Sequence, residues 1–195
     1  VYQLVKLHNK IFEGKQTNVI EFGTDRGGGL TTISKFVKKD TNVYSVDSFG
    51  LHAEEIKQNV SKYDEHYHGK YKPFTKQTRF KDFSYIEMTE NLNQILLKKN
   101  SKLETLVGYF PKLKKRDMDK INNLKFSFVH LDFDLYQSTV DTFNFIKDRL
   151  EKNAILLFDD YNLINQEGVK KAVKDLKIDL DRGIQTQSGQ LIIFT

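Results

Sequence analysis

The sequence predicts an α/β fold with a mostly parallel sheet covered by helices on both faces. Short β-rich apolar runs alternate with stretches of helical periodicity, the pattern of repeated βα units. Two of the runs, "FSFVHL" (126–131) and "AILLF" (154–158), are nearly continuous in apolar character, as strands buried on both faces must be. The tail "GIQTQSGQLIIFT" alternates polar and apolar residues around Ser188-Gly189, which predicts a hairpin that adds an antiparallel strand.

Taken in order, "NVIEF" (18–22), "NVYSV" (42–46) and "LETLV" (103–107) are the first three strands, ahead of 126–131 and 154–158. Leu30, Ile33 and Val37 keep helical spacing, as do Ile56, Val60 and Tyr63, and then Leu92, Ile95, Leu96 and the stem of Lys99. Ser138 or Thr139 is placed to cap a helix striped by Thr142, Phe143, Ile146 and Leu150, and "QEGVKKAVKDLK" is a further helix. Residues 64–86 form the least regular stretch, basic and aromatic, and a stretch of that length suggests a substrate loop.

With 195 residues the chain suits a single domain, 1–195. It has no cysteine, which excludes disulfides and thiolate metal sites and agrees with a cytoplasmic location. No apolar run reaches the roughly 20 residues that span a bilayer, and the start reads as trimmed. A net charge of +5 raises an anionic partner, but the lysines are spread along helix-like stretches and fit solvated faces better than a nucleic-acid surface.

Four of the eleven glycines fall within "GTDRGGG", between the first strand and its helix. Gly23 suits a sharp turn, and Gly27 and Gly28 allow a ligand close to the backbone at a helix N-terminus. The spacing departs from the G-x-G-x-x-G dinucleotide fingerprint and favours a nucleoside without a diphosphate. Asp47, at the end of the second strand, is positioned to accept the hydroxyls of a ribose.

Asp132 and Asp134 follow one buried strand, and Asp159 and Asp160 follow the next. Neighbouring parallel strands lie about 4.8 Å apart, so these acids converge at one sheet edge. Crowded carboxylates need a cation, shared protons or strong donors, and an all-oxygen set suits Mg²⁺. His130 is assigned to the core or the cofactor's flank, alternating away from Asp132. His66 and His68 are assigned to the substrate loop rather than to a zinc site.

These segments resemble the class I S-adenosylmethionine-dependent methyltransferases, and within them the metal-dependent macrocin/mycinamicin/novobiocin sugar O-methyltransferases. The likeness rests on "EFGTDRGGGL", "VDSFG", "VGYFPKL" and "LDFDLYQST…FDDY". The resemblance implies a Rossmann-like fold with a seven-stranded sheet, one strand antiparallel. It implies S-adenosylmethionine and Mg²⁺ as cofactors, Asp132, Asp159 and Asp160 as metal ligands, and Asp134 as general base. Glu21, Gly23, Thr24, Gly27 and Gly28 would shape the methionine end of the pocket, Asp47 and Ser48 the ribose end, and Gly108 and Tyr109 the adenine end. It further implies a truncated N-terminal lid, a possible homodimer, and Asn153 turning the chain where relatives carry a glycine pair.

The expected activity is O-methylation of a hydroxyl on a sugar or glycosylated small molecule. A cofactor-binding partner domain without catalysis and an RNA methyltransferase are the alternatives. The latter is disfavoured because no Asn/Asp-Pro-Pro-aromatic motif follows the fourth strand.

Overall fold

A computed structural model describes residues 1–52, 58, 60–64, 80–163 and 167–195. Seven strands form one sheet: β1 (Thr17–Phe22), β2 (Thr41–Asp47), β3 (Leu103–Val107), β4 (Phe126–Leu131), β5 (Leu150–Phe158), β6 (Gly183–Gln185) and β7 (Leu191–Phe194). Their order is β3-β2-β1-β4-β5-β7-β6. The β1–β2, β1–β4, β2–β3 and β4–β5 pairs are parallel, and β7 lies antiparallel to both of its neighbours. The expected single antiparallel strand is therefore β7, inserted between β5 and β6.

Alternation along the strands sends successive side chains to opposite faces. On one face Ile20, Phe22, Val46, Leu131 and Phe158 pack with Ile146 of α5 (Tyr136–Ile146) and with Val169 and Val173 of α6 (Glu167–Asp175). On the other, Val19, Val43, Phe128 and Leu157 pack with α1 (Tyr2–Ile11) through Val5, α2 (Gly28–Phe36) through Leu30 and Ile33, and α3 (Tyr85–Leu97) through Leu92 and Leu96. A short helix, α4 (Lys115–Met118), precedes β4. Among the described residues no helix is long and apolar enough to cross a membrane.

Several local expectations are refined. Lys99 contributes more than its stem: its ammonium donates to the carbonyls of Ser34, Lys35 and Val37 and so caps the C-terminus of α2. Asn153 adopts a left-handed φ of 65° where the β4–β5 register shifts, so it makes the irregular turn inside an extended β5. Neither Ser138 nor Thr139 caps α5, which starts at Tyr136, and both lie buried within it. Ser84 caps α3, accepting from the Glu87 N–H at 3.2 Å. Ile56, His66, His68 and most of the predicted substrate loop lie outside the described residues.

Candidate active site

The loops after β1, β2, β3, β4 and β5 meet along the carboxyl edge of the sheet, because backbone pairing continues one step past each strand. Gly108 N–H donates to Asp47 O, Gly23 N–H to Val46 O, Asp132 N–H to Phe22 O and Asp159 N–H to Leu131 O, at 2.8–2.9 Å. The candidate residues thus occupy one row. The neighbours of β1 are β2 and β4, strands reached by connections that leave in opposite directions, and a crevice at such a switch point is where open α/β sheets bind ligands.

At the glycine loop, Gly23 has φ 84°, and a Cβ there would lie 2.0 Å from the Asp132 carbonyl oxygen. Only glycine permits this contact between the β1 and β4 loops. A Cβ on Gly29 would lie 2.1 Å from Glu21 Oε1, whereas one on Gly28 would meet nothing within 4 Å. Open space at the start of α2 is what a ligand approaching the helix N-terminus requires.

Asp47 holds this region together by accepting the Asp25 N–H at 2.7 Å and the Phe49 N–H at 2.5 Å. Both donors have left-handed backbones, φ 48° and 46°, a costly conformation for residues with side chains. Burial raises the proton affinity of Asp47, partly offset by those two N–H donors. Each carboxylate oxygen retains accepting capacity for a further hydroxyl.

The other expected pocket residues divide. The Thr24 hydroxyl is buried and bonded to Ser45 Oγ at 2.8 Å, so it serves the scaffold. Ser48 accepts the Leu51 N–H at its carbonyl, in a tight turn. Gly108 sits beside Asp47, but the Tyr109 ring is buried with its hydroxyl 3.5 Å from Ser138 Oγ, directed at α5.

The acids do converge. Donor atoms of His130, Asp132 and Asp159 lie within 4.8 Å of one another. His130 corrects the sequence reading: residues i and i+2 of a strand share a face, so it lies on the side of Asp132 rather than across from it. His130 Nδ1 is 2.8 Å from Glu21 Oε1, and its Nε2 is 3.6 Å from Asp159 Oδ1, too long for a hydrogen bond. Glu21, expected at the cofactor, thus contacts the glycine loop on one side and His130 on the other. Burial opposes charge on His130, but Asp159 and Glu21 push its pKa up to about 10.

Burial, reinforced by repulsion from Asp159 and Glu21 and opposed by His130, raises Asp132 to about 7. Burial acts to raise Asp159 as well, but His130 and a hydrogen bond from Gln190 outweigh it and hold that carboxyl below its usual value. Asp160 is hydrogen-bonded to Asp134, and burial together with the Asp134 charge raises its proton affinity strongly. Glu21 Oε2, His130 Nε2 and Asp160 Oδ2 are buried without a hydrogen-bond partner. Buried polar atoms are rarely left so. Unpartnered donor atoms among anionic carboxylates fit a divalent cation.

Two further residues tied to the site carried little sequence signal. Gln190 reaches Asp159 from the hairpin. Asp64, wholly buried, accepts the Tyr136 N–H at 2.9 Å and the Ser61 N–H and hydroxyl at 2.7 Å. It therefore caps α5 from a distant segment, two residues after Asp134.

The macrocin-O-methyltransferase (TylF) family pattern matches residues 3–188. No curated protein sequence matches the chain. Similar solved structures include the O-methyltransferase NovP (19% identity, TM-score 0.65, 99% of this chain and 76% of that one) and the calicheamicin methyltransferase CalS11 (16%, TM-score 0.66, 99% and 77%). Another is TomG of Streptomyces achromogenes, an O-methyltransferase of tomaymycin synthesis solved with S-adenosylmethionine (14%, TM-score 0.54, 100% and 79%). At these identities the structures share the fold, and the family match carries the assignment: the chain belongs to the macrocin-O-methyltransferase family of S-adenosylmethionine-dependent O-methyltransferases.

Proposed function

We propose that this chain transfers a methyl group from S-adenosylmethionine to one of two neighbouring hydroxyls of a sugar or glycosylated small molecule, assisted by a divalent ion. One observation carries the reading. Open space at the start of α2, with Asp47 nearby, shares one sheet edge with a cluster of acids and a histidine whose buried polar atoms lack partners.

When bound, the cofactor supplies an activated sulfonium methyl and the ion supplies charge that makes a chelated hydroxyl more acidic. Asp47 holds the ribose, and Gly28 leaves the helix start open to the methionine end. Asp132 and Asp159 are the carboxylates that would hold the ion, with Asp160 beside them. Asp134, beside Asp160 and past the end of β4, would accept the proton of the acceptor hydroxyl as general base. The packed contact of Gly23 with the Asp132 carbonyl fixes the cofactor loop against the acid loop, and alignment of this kind is the main demand of the transfer. CalS11, described as a TDP-rhamnose 3'-O-methyltransferase, supports this substrate class.

The test is label transfer from methyl-labelled S-adenosylmethionine to nucleotide sugars and glycosides with vicinal hydroxyls, with and without EDTA. Methylated product that disappears on chelation is the expected result. Transfer that persists in demonstrably metal-free protein overturns the ion's role, and cofactor binding without transfer to any diol overturns the activity.

A further inference from the structure

We propose that His130 Nε2 is a metal ligand, forming with Asp132 and Asp159 a mixed nitrogen–oxygen site that prefers a first-row transition ion such as Mn²⁺ or Co²⁺ to Mg²⁺. The inference rests on the reading of this cluster as a cation site.

Glu21 and His130 are each 1% exposed. An ionised carboxylate can only accept, so Glu21 Oε1 at 2.8 Å assigns the imidazole hydrogen to Nδ1. A cation entering the site displaces the proton from Nε2, which then faces the acids with its lone pair. A carboxylate bonded to the outer nitrogen of a histidine is the usual support of a metal-bound imidazole, because it fixes both the tautomer and the ring orientation. Gly29 is part of the same device. Any side chain there would occupy the position of Glu21 Oε1, so the glycine loop is shaped around the Glu21–His130 bond.

The plainer account makes His130 a counter-ion to the acids. A charged N–H buried beside a carboxylate closes to about 2.7–2.9 Å. His130 Nε2 instead stands 3.6 Å from Asp159 Oδ1 and has no hydrogen-bond partner. That separation suits two donors flanking one ion at about 2.1 Å from each. Asp160, the third acid, is bonded to Asp134. Imidazole is a good donor to transition ions and a poor one to Mg²⁺, which favours oxygen.

The experiment adds Mn²⁺ alone to metal-free protein and records pulsed EPR. The expected result is nitrogen hyperfine coupling, shifting from the ¹⁴N to the ¹⁵N pattern when histidine is ¹⁵N-labelled. His130→Asn should abolish the coupling and reduce the Co²⁺-over-Mg²⁺ affinity ratio at least tenfold. Glu21→Gln, a milder change should His130→Asn fail to fold, should retain the coupling and weaken Co²⁺ binding by about 10- to 100-fold. Mn²⁺ bound with oxygen coupling alone, or no ion bound, overturns the ligand assignment. Chelation-sensitive methyl transfer with an all-oxygen ion would overturn the assignment and leave the proposed activity standing. Nitrogen coupling in a protein that methylates no diol would do the reverse.

Discussion

The β1–β2 side and the β4–β5 side of the crevice are built in opposite ways. On the first, polar groups satisfy one another: Thr24 pairs with Ser45, and Asp47 accepts two backbone N–H groups. On the second, His130 and Asp160 each bury an atom without a partner, as does Glu21 where β1 adjoins β4, and proton affinities move in both directions. The first side is a finished surface onto which a neutral nucleoside can be laid. The second is electrostatically incomplete, as the proposed cation site requires.

The contrast can be broken most severely at the proposed general base. Asp134→Asn should lower kcat by about 10²- to 10⁴-fold with little change in S-adenosylmethionine affinity measured by calorimetry. A parallel fall in cofactor affinity would mean the two sides are not separate. Gly23→Ala comes next: a methyl group against the Asp132 carbonyl should destabilise the fold by about 3 kcal/mol or more, a fall in Tm of roughly 6–12 °C. Gly28→Ala, entering open space, should leave Tm nearly unchanged and weaken cofactor binding instead.

Asp64→Ala strips α5 of its cap and leaves a Tyr136 N–H unpaired. It should cost about 2 kcal/mol in denaturant unfolding and depress kcat more than it raises KM for the cofactor. Asp160→Asn should act in the other direction, stabilising metal-free protein by about 1 kcal/mol at neutral pH. Its raised affinity means that the folded chain binds a proton the unfolded chain lacks, a penalty that grows as pH rises above the usual carboxylate range and that asparagine removes.

His8 gives the pH control, because it lies outside the acid cluster. Burial lowers its pKa from 6.5 to about 4, and its Nε2 is 2.8 Å from Ser127 Oγ. The unfolded chain therefore takes up a proton that the folded chain refuses as pH falls below 6.5. Stability should drop by about 1 kcal/mol between roughly pH 7 and 5.5, and His8→Asn should flatten that part of the profile.

Much of this was legible in the sequence. Continuous apolar runs mark buried parallel strands, and the acids that follow them must emerge at one edge, so the row of Asp47, Asp132 and Asp159 could be placed before any coordinates. Asn153 was identifiable as a turn because few other residues tolerate a left-handed backbone. What escaped was of two kinds. His130 was misassigned by the parity of its strand, a signal that was present: two positions from Asp132 means the same face. Asp64 gave no such signal, since its link to Tyr136 spans 72 positions and depends on packing that no local pattern encodes. The start of α5 was missed for the same reason, its cap being tertiary rather than a neighbouring serine or threonine.

The placement of β7 has a consequence for how the protein is made. Residues 191–194 follow 183–185 in the chain yet lie between β5 and β6, and Gln190 beside them reaches Asp159. During synthesis β5 must therefore wait with an open edge, exposed to adventitious pairing, until the hairpin emerges and slides into the gap. Fold completion and assembly of the acidic cluster become one event, so a nascent chain halted before that point lacks the hydrogen bond that Gln190 gives Asp159.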